Sequence, residues 1–453
     1  MDKKRKRLTT TQLVVLSFAA AIFVGAVLLT MPFSAADGHM TPFIDALFTA
    51  TTSVCVTGLV VVTTATHWSL LGKIIILLLI QIGGLGVITL TTTIMMAFGK
   101  KISLSNRVLL GDAFNLETLK GLVKFLRRVF LGTFVVEGIG AVCYMLVFIP
   151  EYGIGRGIWY SVFHSVSSFC NAGIDIVGAN SFMPYVHNVW VNLVTMTLIV
   201  FGGIGFVVWW DVVTAIRKKI AGSKRHLFQL MSLHSKVAIT MTLFLILSGT
   251  VLFAVFEWNN PRTMGEFSGW QKWLAALFQS VTTRTAGIAT ISQKGLSVPS
   301  VITSMFLMFT GGSSVGTAGG VKVTTVAVVI LSVAATVRGN SDVTCYGRRI
   351  SDAIVRKSVA IIFISFMASV LAIVAMRLLE GGESVDIIFE VYSALGTVGL
   401  SRDYTATVGI AGKIVLCICM FLGRIGPITM VIAFAMRDKK TALRLPEGKI
   451  TVG

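Results

Sequence analysis

The chain has 453 residues, of which 55% are hydrophobic and only 13% charged, with a net charge of +19. Soluble domains carry charge on about a quarter of their residues, so this composition excludes a soluble globular core. The basic excess does not indicate nucleic acid either, because no aromatic-basic recognition module accompanies it.

Taken in chain order, apolar runs fall at 13–29, 74–98, 129–148, 189–210, 237–256, 359–376 and 414–436. Each approaches or exceeds the ~20 residues that cross about 30 Å of hydrocarbon as helix. Most of the Lys and Arg lie in clusters at 3–7, 100–128, 217–236, 338–357 and 437–449, each abutting the end of a run. Cytoplasmic loops carry such a bias, and anionic membrane lipid is a secondary attraction for it. Both termini are therefore expected in the cytoplasm. Residues 3–29 have the charge and apolar order of a signal peptide, but Thr30-Met31-Pro32 is a poor cleavage site, so the segment reads as the first membrane helix. The cysteines Cys55, Cys143, Cys170, Cys345, Cys417 and Cys419 show no zinc-ligand spacing and imply no disulfide framework.

Between the runs one pattern recurs four times. Aromatic-rich stretches at 43–48, 159–163, 273–278 and 388–389 lead to Gly58, Gly173, Gly287 and Gly399, which are separated by 115, 114 and 112 residues. The third copy is one residue shorter between its Phe and its Gly. A second glycine mark follows each copy, as Gly83-Gly-Leu-Gly86, Gly202-Gly-Ile-Gly205, Gly311-Gly312 and Gly423-Arg-Ile-Gly426. Each unit then reads as membrane helix, half-helix, glycine turn and second membrane helix. The expected fold is an all-α integral membrane protein. Its four helix–pore-loop–helix repeats take a pseudo-fourfold arrangement around one central pore, with eight full transmembrane helices and four half-helices. The repeats divide the chain at 1–100, 101–219, 220–340 and 341–453.

Non-helical backbone at membrane depth persists only buried in protein or lining a polar cavity. The four turns are Cys55-Val56-Thr57-Gly58, Cys170-Asn171-Ala172-Gly173, Arg284-Thr285-Ala286-Gly287 and Gly396-Thr397-Val398-Gly399. Backbone carbonyls can replace the water shell of a potassium ion without fixed charge. Consecutive carbonyls face one way only under torsions that glycine permits. The expected potassium ligands are the carbonyls of Val56, Thr57, Asn171, Ala172, Thr285, Ala286, Thr397 and Val398. Half-helix C-termini favour a cation near these turns. The bland alternative is four extracellular loops with packing glycines. Arg284 is expected to point away from the axis and to pair with a carboxylate, with Glu390 as the candidate. Asp45, His164, Asp175 and Asp386 read as groups that solvate or cap half-helix ends rather than bind ions.

The second helix of the third repeat is interrupted at 310–320, and Gly311, Gly312, Ser313, Ser314, Gly316, Thr317, Gly319 and Gly320 mark a gate loop. Glycine density makes a continuous helix there unfavourable. No other repeat carries this insertion, and the fourth has Arg424 at the same point. An intramembrane Arg is a functional candidate by default; here it could hold the loop, or serve as static cross-helix glue.

With these residues in view, the chain resembles the Trk/Ktr/HKT superfamily of potassium transporters and is most similar to the bacterial KtrB/KtrD membrane subunits. The resemblance rests on Ile44-Asp-Ala-Leu-Phe48, Thr57-Gly-Leu59, Ile80-Gln-Ile-Gly-Gly-Leu-Gly86, Asn171-Ala-Gly173, Gly202-Gly-Ile-Gly-Phe206, Arg284-Thr-Ala-Gly287, Gly396-Thr-Val-Gly-Leu400 and Gly423-Arg-Ile-Gly-Pro427. It implies potassium uptake across the cell membrane and a homodimer with one pore per subunit. It also implies an intramembrane gate closed by Arg424 and a cytosolic nucleotide-binding ring of the KtrA/KtrC type. The nucleotide belongs to that partner, no covalent cofactor is implied, and sodium dependence is common in the family. Cys55 and Cys170 depart from the Thr, Ser or Asn expected there. A sodium-selective or non-selective transporter of the same architecture is the rival reading; glycine at all four turns favours potassium. An enzyme would need converging nucleophiles or acid–base groups, and the six His are dispersed.

Overall fold

The computed structural model describes residues 9–86, 122–426 and 429–430. The clusters at 3–7 and 437–449, most of that at 100–128, and the far ends of the spans expected at 74–98 and 414–436 lie outside the described residues.

The first unit contains α1 (Thr10–Thr30), α2 (Phe43–Cys55) and α3 (Leu70–Leu85). The second contains α4 (Leu122–Tyr152), α5 (Ile154–Cys170), α6 (Val189–Gly203) and α7 (Phe206–Ile220). In the third are α8 (Leu233–Glu257), α9 (Gly269–Thr282), α10 (Val298–Phe309) and α11 (Val323–Val337). The fourth has α12 (Asp352–Leu379), α13 (Ser384–Gly396) and α14 (Ile410–Ile425).

Local chemistry sets these ends. Thr9 and Gln12 form a reciprocal capping box that starts α1. Pro32 stops it by forcing Met31 into extended backbone. Gly153, at φ 79, turns the chain from α4 directly into α5. The long helices α1, α4, α8 and α12 expose Phe23, Leu146, Leu247 and Leu371 outward, which suits hydrocarbon rather than water.

In the first, second and fourth units the half-helix packs on the long helix before it and on the helix after it, whereas in the third both α9 and α10 pack on α8. Between units, α3 packs on α5, α6 on α9, α10 on α13, and α14 on α2. Each second helix thus meets the half-helix of the next unit, and the fourth unit returns to the first. Phe48, Phe163, Phe278 and Phe389 occupy equivalent points of the four half-helices and are fully buried. Full burial of such a ring contributes about 1.5–3 kcal/mol, so each unit is anchored alike.

Among the described residues four helices are long and apolar enough to cross a membrane, or five if α6 and α7 count as one bent span; the spans expected at 74–98 and 414–436 lie partly outside the described residues. The run at 189–210 is not one helix, because α6 and α7 meet at 96°. Positive-φ glycines also mark helix ends in the other units: α3 ends at Gly86 (φ 83), α7 starts after Gly205 (φ 95) and α14 ends at Gly426 (φ 92). The second glycine mark is therefore a left-handed break as well as a packing mark. One small exception to the all-α reading joins α11 to α12. Thr344–Cys345 pairs antiparallel with Arg348–Arg349 around Tyr346 and Gly347, both at positive φ, as a two-residue hairpin turn requires.

Candidate functional site: a ring of four glycine turns

Each half-helix ends in the same backbone device. Val56, Asn171, Thr285 and Thr397 take φ of 56, 60, 68 and 51, and the glycines two residues on take 103, 65, 76 and 95. The residue between lies outside the left-handed region, so handedness alternates along each turn. Alternation of this kind turns successive peptide groups to one side. A left-handed residue with a side chain costs roughly 1–2 kcal/mol, so the turns need bracing.

Buried hydroxyls at equivalent positions supply it. The Thr52 hydroxyl accepts from the Gly58 N–H at 2.9 Å, and that of Ser393 from the Gly399 N–H at 3.0 Å. Ser167 and Thr282 donate to the carbonyls of Ile174 and Ile288, each at 2.6 Å. Sequence reasoning missed these four. Their signal was an offset of six residues before the glycine, or five in the shortened third copy. His164 works similarly: its Nε2 accepts from the Ile176 N–H at 3.2 Å.

The glycines themselves close a circle. A Cβ on Gly58 would lie 2.6 Å from the Ala172 carbonyl oxygen, and one on Gly173 would lie 2.6 Å from that of Ala286. On Gly287 it would strike the Val398 carbonyl oxygen, and on Gly399 that of Thr57. Every turn abuts the next through carbonyl oxygen against glycine. Outside this circle is a cavity of about 370 Å³ lined by all four glycines, with Asp175 and Asp403 as its charged side chains.

The groups behind the turns differ between units. Arg284 is buried and points away from the glycine circle, as expected, but its guanidinium donates to the Thr242 hydroxyl at 3.3 Å rather than to Glu390. Glu390 instead accepts from Ser401 at 2.9 Å and from Thr405. These hydroxyls lie on the chain segment just after the fourth turn and occupy both carboxylate oxygens of Glu390. Behind the second turn, Gln81 donates to Glu137 at 3.2 Å, and Cys170 Sγ lies 3.7 Å from both side chains. Asp45 sits in the first turn of α2 and pairs with Lys413 at 2.6 Å, and Asp386 in that of α13 pairs with Arg402 at 2.7 Å.

On the other side of the turns is the glycine-rich loop between α10 and α11. A parallel bridge pairs Thr310 with Val321, and the Gly311 N–H donates to the Val321 carbonyl at 2.9 Å. The Ser313 and Thr317 N–H groups donate to Gly203 and Gly202, at 2.8 and 3.2 Å, and the Phe206 N–H donates to Val315 at 2.8 Å. The loop therefore fills the break between α6 and α7. A Cβ on Gly319 would collide with Thr397 of the fourth turn, which brings the loop directly beneath the ring. Gly312, Ser314, Gly316 and Gly320 belong to the same segment.

Two cations hold this loop. Arg424 donates to the Thr317 carbonyl and, at 2.5 and 3.3 Å, to those of Gly83 and Gly84. Lys322 donates to Ala318 at 2.7 Å and Gly319 at 3.4 Å. Three successive loop carbonyls are thereby occupied. Sequence reasoning found Arg424 and missed Lys322, which immediately precedes α11.

A family model described as a cation transport protein, TrkH, matches residues 3–443. The chain is 39% identical to the potassium/sodium uptake protein NtpJ of Enterococcus hirae over 99% of this chain and 98% of that protein. It is 37% identical to the Ktr system potassium uptake protein B of Bacillus subtilis, over 99% and 97%. The crystal structure of the potassium transporter TrkH from Vibrio parahaemolyticus superposes with a TM-score of 0.70 at 19% identity, covering 96% of this chain and 87% of that one. The chain is a multi-pass membrane transporter rather than an enzyme, and it belongs to the TrkH family of cation transport proteins.

Proposed function

We propose that this chain takes up potassium through the axis of the glycine ring. The observation that carries this reading is the closed circle in which each of four glycines abuts a carbonyl of the next turn. In the proposed path the carbonyls of Val56, Thr57, Asn171, Ala172, Thr285, Ala286, Thr397 and Val398 replace the ion's water. They carry no net charge, so the ion can leave as well as enter. Cys55, Cys170, Arg284 and Gly396 precede these ligands and contribute backbone. The acidic outer cavity draws cations to the mouth by long-range attraction.

The loop from Gly311 to Gly320 is the gate, and Arg424 holds it across the path. The gate is controlled by a cytosolic nucleotide-binding subunit, received at the basic cytoplasmic surface that includes Arg348 and Arg349. The functional unit is a homodimer in the cell membrane with both termini cytoplasmic, and its four repeats follow the divisions given above. Relatives named as potassium uptake proteins support the ion, and one named for potassium and sodium keeps sodium as a second transported or coupling ion.

The test is flux from purified protein in liposomes, with potassium and sodium in competition. Potassium should exclude sodium in the mixture. Equal uptake of both ions would replace this reading by a non-selective one.

A further inference from the structure

A second cavity, of about 370 Å³, lies between α8, α11 and α12 and reaches Ser314 of the glycine-rich loop. Its walls are mostly aliphatic, with Val328, Ile354 and Ile361 among them, and His234, Thr324 and Thr325 add polar atoms. Arg349 borders it just before α12, and Lys357 borders it from the second turn of that helix. Both α8 and α12 are long apolar helices, and they begin here, so the cavity opens where headgroups meet hydrocarbon.

We propose that this cavity binds an anionic phospholipid, with its phosphate at Lys357 and one acyl chain along the aliphatic walls toward Ser314. Charge complementarity favours an anion. Arg349 is engaged by Asp342 at 2.9 Å and by Asp352 at 3.6 Å, whereas Lys357 makes no ion pair among the described residues. The starts of two helices add partial positive charge. Anionic lipids are drawn to such juxtamembrane cations at about 1 kcal/mol per Lys or Arg. A soluble phosphate would satisfy Lys357 but leave the aliphatic walls uncovered, and their burial is the larger contribution.

The site has a consequence for transport, and that part rests on the gate reading above. The loop must leave the axis for ions to pass, and the cavity behind Ser314 is room into which it can move. A lipid chain in that room opposes the movement, so anionic lipid lowers flux.

The test has a binding arm and a flux arm. Detergent-purified protein is incubated with phosphatidylglycerol, and retained lipid is counted by native mass spectrometry. Lys357→Glu should weaken retention at least about fivefold, and Arg356→Glu on the neighbouring face should not. Ile354→Trp, which fills the cavity without changing charge, should also displace the lipid. Retention unchanged in both cavity variants overturns the site. Displacement of the lipid by millimolar glycerol phosphate would make the ligand a soluble anion and overturn the lipid assignment.

Potassium flux is then compared in vesicles of phosphatidylcholine and of equal parts phosphatidylcholine and phosphatidylglycerol. Phosphatidylglycerol should lower flux several-fold, Lys357→Glu should abolish that decrease, and Ile354→Trp should give low flux in both. An equal lipid response in parent and Lys357→Glu would mean bulk surface charge and overturn the coupling. Lost retention with unchanged flux would keep the lipid site and remove its link to the loop, while the ion path through the ring would stand.

Discussion

The four turns around the glycine ring repeat one another to within a residue, whereas the glycine-rich loop beneath them occurs once. The turns are braced from within their own units, by Thr52, Ser167, Thr282 and Ser393. The loop is held chiefly from outside its unit. Gly202, Gly203 and Phe206 belong to the second unit, and Arg424 to the fourth. Glycine also has different work in the two places. In the ring it permits left-handed backbone and close approach of a carbonyl; in the loop it keeps a helix from forming. On the proposed function, the difference teaches how selection and control can be separated. A ring that surrounds an ion needs near-equal contributions from all sides, while an obstruction needs only one side and must be releasable without dismantling the ring.

Breaking the ring should have the largest effect. Gly399→Ala places a methyl against the Thr57 carbonyl at a φ of 95, a left-handed conformation that disfavours a side chain. Potassium uptake should fall at least about tenfold, the consequence of roughly 1.4 kcal/mol. Uptake assays on membranes with matched protein levels check this. Removing Gly312–Gly316 should act in the opposite direction and raise flux several-fold, because the obstruction shortens while the braces of the ring stay. Arg424→Gln should raise flux by less, since Lys322 still holds Ala318 and Gly319. Liposome flux of the two variants side by side gives the order.

Two smaller effects sharpen the comparison. Thr52→Val leaves the buried Gly58 N–H without its acceptor, which costs about 1–3 kcal/mol. Ion preference should loosen several-fold, with flux through the loop region otherwise unaltered. Asp45→Asn removes a partner of Lys413. Such a largely buried pair should cost more than the ~1 kcal/mol of an exposed one. The thermal midpoint should drop by a few degrees, and the potassium/sodium ratio should stay as in the parent.

Much of this was legible in the sequence because four copies constrain one another. Gly58, Gly173, Gly287 and Gly399 recur at nearly constant spacing, and one pattern of positive φ explains all four. The half-helices were legible from Phe48, Phe163, Phe278 and Phe389, whose spacing to the glycine is almost fixed. The breaks at Gly86, Gly205 and Gly426 were less so. A glycine in an apolar run can serve close helix packing or a left-handed turn, and composition does not separate these uses. Arg284 was misassigned to Glu390 for a related reason. A buried guanidinium must find an acceptor, but the sequence does not say that Thr242 is nearer than a carboxylate. Lys322 was passed over because the sequence does not say which carbonyls a Lys beside a glycine run will meet; only the fold turns it toward Ala318 and Gly319.

The most direct measurement is the potassium/sodium uptake ratio of Gly58→Ser against the parent. The serine Cβ would lie 2.6 Å from the Ala172 carbonyl oxygen, at a φ of 103, so both the spacing and the direction of one ligand pair must change. The ratio should fall toward unity while the protein remains in the membrane at parental levels. An unchanged ratio in well-folded Gly58→Ser protein would contradict the glycine ring as the place where the ion is chosen.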